Sequence, residues 1–295
     1  MRYDRRMLGR YALAVILFSA VACGGGHSQV SFVSNERPTA QGAPQGVPPP
    51  SAAHAENPNG SVELPNDEEV VEPDRPAADS KQERALVHIH GPNNVVCSGV
   101  VLGPRIVATA QQCLKGEAKG VTTLGPDKEY RVEVASSTLT WTARKAKFTV
   151  VPKCDWSELD IALLVLAEPV SEWVVPLRII SAPNTGAKVQ ALGFGRCQGT
   201  SNVLKERIGT VRSRVAEAVI IDMRLCKGDA GGPVVDGRDG DIIGLISRRD
   251  DPEGSPLQTT TIARLDTTQV RELLAQAKML ADGGDATKTQ PVACR

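Results

Sequence analysis

The residues able to do chemistry fall in three short stretches. The run Cys97-Ser98-Gly99-Val100-Val101-Leu102 is followed by Pro104-Arg105-Ile106-Val107-Ala108-Thr109-Ala110-Gln111-Gln112-Cys113. Asp160-Ile161-Ala162-Leu163-Leu164 comes next, and Cys226-Lys227-Gly228-Asp229-Ala230-Gly231-Gly232-Pro233 lies far downstream. The Asp160 carboxylate can accept hydrogen bonds and orient a partner. The Gln112 amide has no basic nitrogen near neutral pH and cannot take a proton from a hydroxyl. Ala230 has no nucleophilic atom. No histidine follows His90. His88 and His90 sit on an early strand, one expected to face the core and the other solvent, and neither is placed to act as a base.

The elements that must position these groups are mostly strands. Short apolar or alternating runs occupy 85–90, 95–102, 106–110, 130–135, 147–151 and 161–166. They continue at 188–194, 208–211, 218–223, 233–236, 242–247 and 259–265, punctuated by Gly103-Pro104, Gly125-Pro126 and 237–240. Without long helical periods between them, the runs predict an antiparallel sandwich or barrel, and their number suits two small barrels. One helix is predicted near the end, with Thr267 or Thr268 as N-cap and Leu273, Leu274, Ala277 and Leu280 on one face.

Composition narrows the function classes. Apolar residues are 41% and charged residues 23% of the 295, enough for a sizeable core. Lys plus Arg and Asp plus Glu each total 34, which argues against a nucleic-acid binder. Aromatics at 3% are too few for a base-stacking platform. No later segment approaches the roughly 18 apolar residues of a membrane span, which excludes a polytopic membrane protein.

The N-terminus reads as an export signal over residues 1–22. Arg2, Arg5, Arg6 and Arg10 precede an uncharged run from Tyr11 to Ala22, which is too short to span a bilayer. The small residues ending at Cys23 resemble a bacterial lipoprotein signal, in which that cysteine is lipidated. The alternative is ordinary cleavage after Ala22, leaving Cys23 as a plain thiol. Residues 23–84 read as a Pro-rich disordered linker: nine of the 20 prolines lie there, and Phe32 is its only aromatic. His27 and His54 in this linker are expected to be solvated, and the acidic run from Asp67 to Asp74 to be solubilising.

The six cysteines beyond Cys23, with no C-x-x-C, favour disulfides in an oxidising compartment over metal ligation. Cys97–Cys113 is the expected pair. Cys154, Cys197, Cys226 and Cys294 allow three connectivities, among which Cys197–Cys226 is favoured. No metal and no cofactor is expected.

The three stretches, in this order, resemble the trypsin-like serine proteases. Gly193-Phe194-Gly195, Gly244-Leu245-Ile246-Ser247 and the terminal helix fall in the same order, so the resemblance covers about 85–280. It implies two six-stranded antiparallel β-barrels with a C-terminal α-helix, over a domain at 85–281 followed by a tail at 282–295. The family's histidine stands where this chain has Gln112, and its nucleophilic serine where this chain has Ala230. Only Asp160 keeps the expected triad residue. Gly228 and Ala230 would still offer backbone N–H groups at the oxyanion position. Arg224 would lie at the base of the specificity pocket, favouring an acidic partner or plugging it. Ser247 would lie on the strand that pairs with substrate, and Arg249 beside it would bear on entry to the groove. In the family, the aspartate before the nucleophile pairs with a newly cut N-terminus. Nothing upstream resembles that activation sequence, and Arg84-Ala85-Leu86-Val87 is a poor match, so Asp229 is left without an obvious partner.

The reading is therefore an inactive trypsin-like domain, exported and anchored to the cell envelope through Cys23, that binds a protein or peptide and no nucleic acid. Two other classes remain: an active serine endopeptidase, as the resemblance alone implies, and a purely structural envelope lipoprotein.

Overall fold

The computed structural model describes residues 78–114, 116–196, 205–250 and 258–294. The export signal, Cys23, most of the linker and Cys197 lie outside them. The first barrel is built from β1 (Leu86–Gly91), β2 (Val95–Gly103), β3 (Ile106–Thr109), β5 (Arg131–Ala135), β6 (Trp141–Val151) and β7 (Ala162–Leu166). It closes because β6 pairs with both β5 and β7, and β4 (Gly120–Thr123) is added outside on β6. The second closed barrel runs β10-β13-β12-β11-β8-β9. Its strands are β8 (Lys188–Gly193), β9 (Lys205–Arg214), β10 (Ala218–Asp222), β11 (Pro233–Asp236), β12 (Ile242–Arg249) and β13 (Thr259–Arg264). All named pairings are antiparallel.

The expected pair of six-stranded barrels is what forms. Several strands read as unbroken apolar runs because both of their faces are covered. In β7, Ala162, Leu164 and Leu166 fill the first barrel, while Leu163 and Val165 face a second cluster containing Leu192, Leu245 and the helix. β4 escapes the sequence pattern because it is a short edge strand with only Gly120 buried. β6 and β9 extend well beyond their apolar segments: the added part of β6 buries Trp141, Thr142 and Ala146, whereas the added part of β9 is carried by backbone pairing.

The helix α2 (Thr268–Ala281) starts at Thr267, whose hydroxyl accepts from Val270 N. It buries Val270, Leu273, Ala277 and Leu280 and packs over β7 and β6, returning to the first barrel after the second is complete.

Two boundaries differ from expectation. The folded domain begins by Ala78, not at 85: Ala78 is buried, and a short helix α1 (Lys81–Ala85) follows. Ser80 and Glu83 form a reciprocal capping box there, a local signal overshadowed by the proline-rich composition before it. The segment after α2 is also anchored. Lys153 N donates to Val292 O at 2.8 Å, Val292 is buried, and Cys294 is bonded to Cys154. Cys97–Cys113 forms as expected. Cys226 is disulfide-bonded as well, and the expected Cys197–Cys226 pairing lies outside the described residues.

The Cys154–Cys294 bond spans 140 residues of sequence, and closing so long a loop removes much entropy from the unfolded chain. Cys154→Ser with Cys294→Ser should lower the unfolding free energy by about 2–4 kcal/mol in urea denaturation. An unchanged midpoint would show that the anchored tail rests on packing alone.

Candidate functional site

Gln112 and Asp160 are brought together by strand pairing. Thr109, the last residue of β3, pairs with Ala162, the first of β7. The short 3-10 turn Gln111–Leu114 and the residues preceding β7 therefore leave the first barrel at the same edge. The Cys97–Cys113 bond fixes the turn directly beside Gln112.

Asp160 is 3% exposed and fully engaged. Its Oδ1 accepts from Gln112 N at 3.0 Å, and its Oδ2 accepts from Gln112 Nε2 at 2.9 Å and from Ser247 Oγ at 2.7 Å. Burial pushes its pKa above the ordinary carboxylate value, and the donated hydrogen bonds from Ser247 and Gln112 pull in the opposite direction. Gln112 Nε2 also donates to the Ser247 carbonyl at 2.6 Å. Both hydrogens of the amide are thus spent on acceptors, a carboxylate and a carbonyl, which fixes the orientation of the amide.

Ser247 reaches this cluster through a bulge. On β12, Ile246 pairs with Ile262 and Arg248 with Thr261, so Ser247 is the extra residue. A bulge re-aims a side chain, and here it sends the Ser247 hydroxyl into the Asp160 carboxylate. Sequence reading placed Ser247 on the substrate-pairing strand and missed this second role. Arg249 ends β12 opposite Thr260, and its side chain lies outside the described residues. Arg224 is exposed, between β10 and β11.

The Gly-rich loop is held from both barrels. Ser98 on β2 is the bridge. Its N donates to Ala230 O at 2.9 Å, its Oγ donates to Gly228 O at 2.8 Å and accepts from Phe194 N at 2.9 Å. From β12, Ile246 O accepts from Gly231 N and Ile246 N donates to Gly232 O. Cys113 Sγ lies 3.7 Å from Ala230 O. The loop turns at Gly228, whose φ of 102° belongs to the left-handed region that favours glycine. Among the described residues, the N–H groups of Gly228 and Ala230 donate to no protein acceptor.

Asp229 does have a partner, contrary to the sequence reading. The residue is fully buried. Its Oδ1 accepts from Gly195 N at 2.8 Å, its Oδ2 accepts from Cys226 N at 2.8 Å, and Arg207 Nη1 lies 2.6 Å from Oδ2. A Cβ at Gly195 would overlap this carboxylate, which explains the glycine there. Arg207 sits on β9, 22 residues before Asp229 and outside every motif, so nothing local in the sequence flags it.

The model of the Trypsin family matches residues 74–268, from ahead of α1 to the first residue of α2. The chain belongs to the trypsin family. Snake venom serine proteinases 12 and 4a of Crotalus adamanteus are 25% and 26% identical to it over 218 residues, covering 62% of this chain and 79% of each relative. Among solved structures, it is similar to the Rv3671c protease in an inactive form, at TM-score 0.47 and 20% identity, covering 66% of this chain and 90% of that one. A mutant of that M. tuberculosis protein, also in an inactive form, matches at TM-score 0.46 and 19% identity, covering 67% and 88%.

His88 and His90 take no part in this trypsin-family cluster. Residues two apart on a strand share a face, and both side chains meet Glu133 on β5, His88 fully buried and His90 partly exposed to solvent.

Two outcomes follow. Arg207→Gln leaves a buried carboxylate without its cation and should cost about 3–5 kcal/mol of stability, with Arg207→Lys recovering part. A loss below about 1 kcal/mol would reduce the pair to the worth of a surface ion pair. For Asp160, the raised pKa means that the folded chain holds this proton to higher pH than the unfolded chain. Its contribution to stability is therefore greatest below the ordinary carboxylate pKa and is lost as pH rises through the raised value. The stability difference between the natural chain and Asp160→Asn should shift against the natural chain across that window, and a flat difference would contradict the assignment.

Proposed function

We propose that this chain is a catalytically inactive member of the trypsin family that binds a protein or peptide. It is exported and held at the bacterial cell envelope by a lipid on Cys23. The observation that carries the reading is the Gln112 amide. It donates to Asp160 and to the Ser247 carbonyl, taking up the hydrogen-bonding place an imidazole would need while offering no basic nitrogen. Ala230 follows Asp229 with a methyl group where covalent catalysis requires an oxygen or sulfur. His88 and His90 are committed to Glu133.

The surroundings favour a retained binding surface. The loop from Cys226 to Gly232 is braced by Ser98, Ile246 and Arg207, and the N–H groups of Gly228 and Ala230 remain available to a ligand carbonyl. The exposed Arg224 guanidinium would favour an acidic side chain on the partner. In family members whose activation exposes a new N-terminus, that terminus supplies the cation for this aspartate. Here Arg207 supplies it from within the chain, so the loop requires no cleavage to be held.

Peptide-library cleavage by residues 78–295 should stay at background for the natural chain. A Gln112→His, Ala230→Ser double variant should raise it by about 10³-fold or more if the groove is open. Cleavage by the natural chain itself would overturn the proposal. Failure of both would move the binding surface away from the groove. Radiolabelled palmitate on the full-length chain, absent from Cys23→Ser, would support the anchor, and its absence from both would refute it.

A further inference from the structure

We propose that His88, His90 and Glu133 form a site for a divalent transition metal of the zinc class, separate from the cluster around Asp160 and independent of whether the chain is catalytic. The sequence offers no metal motif because Glu133 is 45 residues from His88. Strand register brings the three together. β1 and β5 are neighbours in the first barrel, with His88 directly opposite Glu133 and His90 opposite Arg131. The two histidines share the outward face on which Glu133 also lies.

The chemistry of the donors fits. His88 Nδ1 is 3.0 Å from Glu133 Oε2, and His90 Nε2 is 3.2 Å from Glu133 Oε1. One ligand atom from each residue lies within 4.8 Å of the other two. Ligands about 2.1 Å from a tetrahedral zinc stand about 3.4 Å from one another, so small side-chain movements close the site. Two imidazoles and a carboxylate are a zinc ligand set that leaves the fourth position to water. Glu133 is 2% exposed and His88 0%, whereas His90 is 35% exposed. Two ligands are therefore fixed by packing and the third stands on the path by which an ion would enter. The His88 ring also lies 4.8 Å from Phe194, which follows β8 of the second barrel. An ion here would stiffen the seam between the barrels.

One group competes. Arg131 Nη1 lies 3.7 Å from Glu133 Oε1 and must give up part of that contact on loading. Its side chain is 33% exposed, so it reaches water without crossing the core. The other clustered set, Cys154, Glu158 and Cys294, carries nothing, because its two sulfurs are bonded to each other.

The test is titration of tag-free residues 78–295 with zinc chloride by isothermal calorimetry. One ion should bind per chain, and His90→Ala should weaken binding by about tenfold or more, since even outer-shell substitutions cost about 10–100-fold. Because Glu133→Gln alters a buried network and can disturb folding, cobalt substitution of the natural chain gives a second readout. Bound Co²⁺ should show the intense visible d–d bands of a tetrahedral site without thiolate charge transfer. No binding by the natural chain, binding unchanged in His90→Ala, or octahedral cobalt spectra would each overturn the proposal.

Discussion

The buried carboxylate of Asp229 is the constraint on which the rest of the site depends. A charge taken fully out of water is tolerated only with close partners. This one is met by Arg207 from β9, by Gly195 N after β8 and by Cys226 N at the start of its own loop. Those three contacts dictate where the loop from Cys226 to Gly232 can lie. Ser98 then joins that loop to the first barrel, so the positions of Gln112 and Ala230 relative to each other descend from one solvation problem.

Asp160 solves a related problem differently. No cation is among the groups that donate to it. Neutral donors from Gln111, Gln112 and Ser247 surround the carboxylate, and burial still wins, leaving the acid weaker than usual. An amide can serve in this role as well as an imidazole because the carboxylate asks only for N–H groups. What the amide cannot do is pass a proton onward. At this side chain the hydrogen-bond frame is built without a basic nitrogen.

The sequence disclosed the strands well, because period and turn residues are local signals. All twelve apolar runs became strands, and the thirteenth escaped for lack of burial. The pairing of Gln112 with Asp160 was legible because each residue sits inside a short motif. Ser247 was legible only in part: its place on β12 could be read, but the bulge that turns its hydroxyl inward is a property of pairing with β13. Arg207 and Glu133 were invisible for the same reason. Each meets its partner only in the fold, Arg207 reaching from β9 to the Asp229 loop across 22 residues and Glu133 standing opposite His88 by strand register across 45, and neither carries a pattern in its own neighbourhood. The capping box at Ser80 and Glu83 was present in the sequence but masked by the prolines before it.

The bond between Cys154 and Cys294 encloses the whole second barrel and α2 within one covalent ring. A protease that nicked any exposed turn inside that ring would open the backbone without releasing a fragment. The severed halves would remain tied at Cys154 and could stay folded about their shared core. A single cut inside the ring is therefore a survivable event rather than a terminal one.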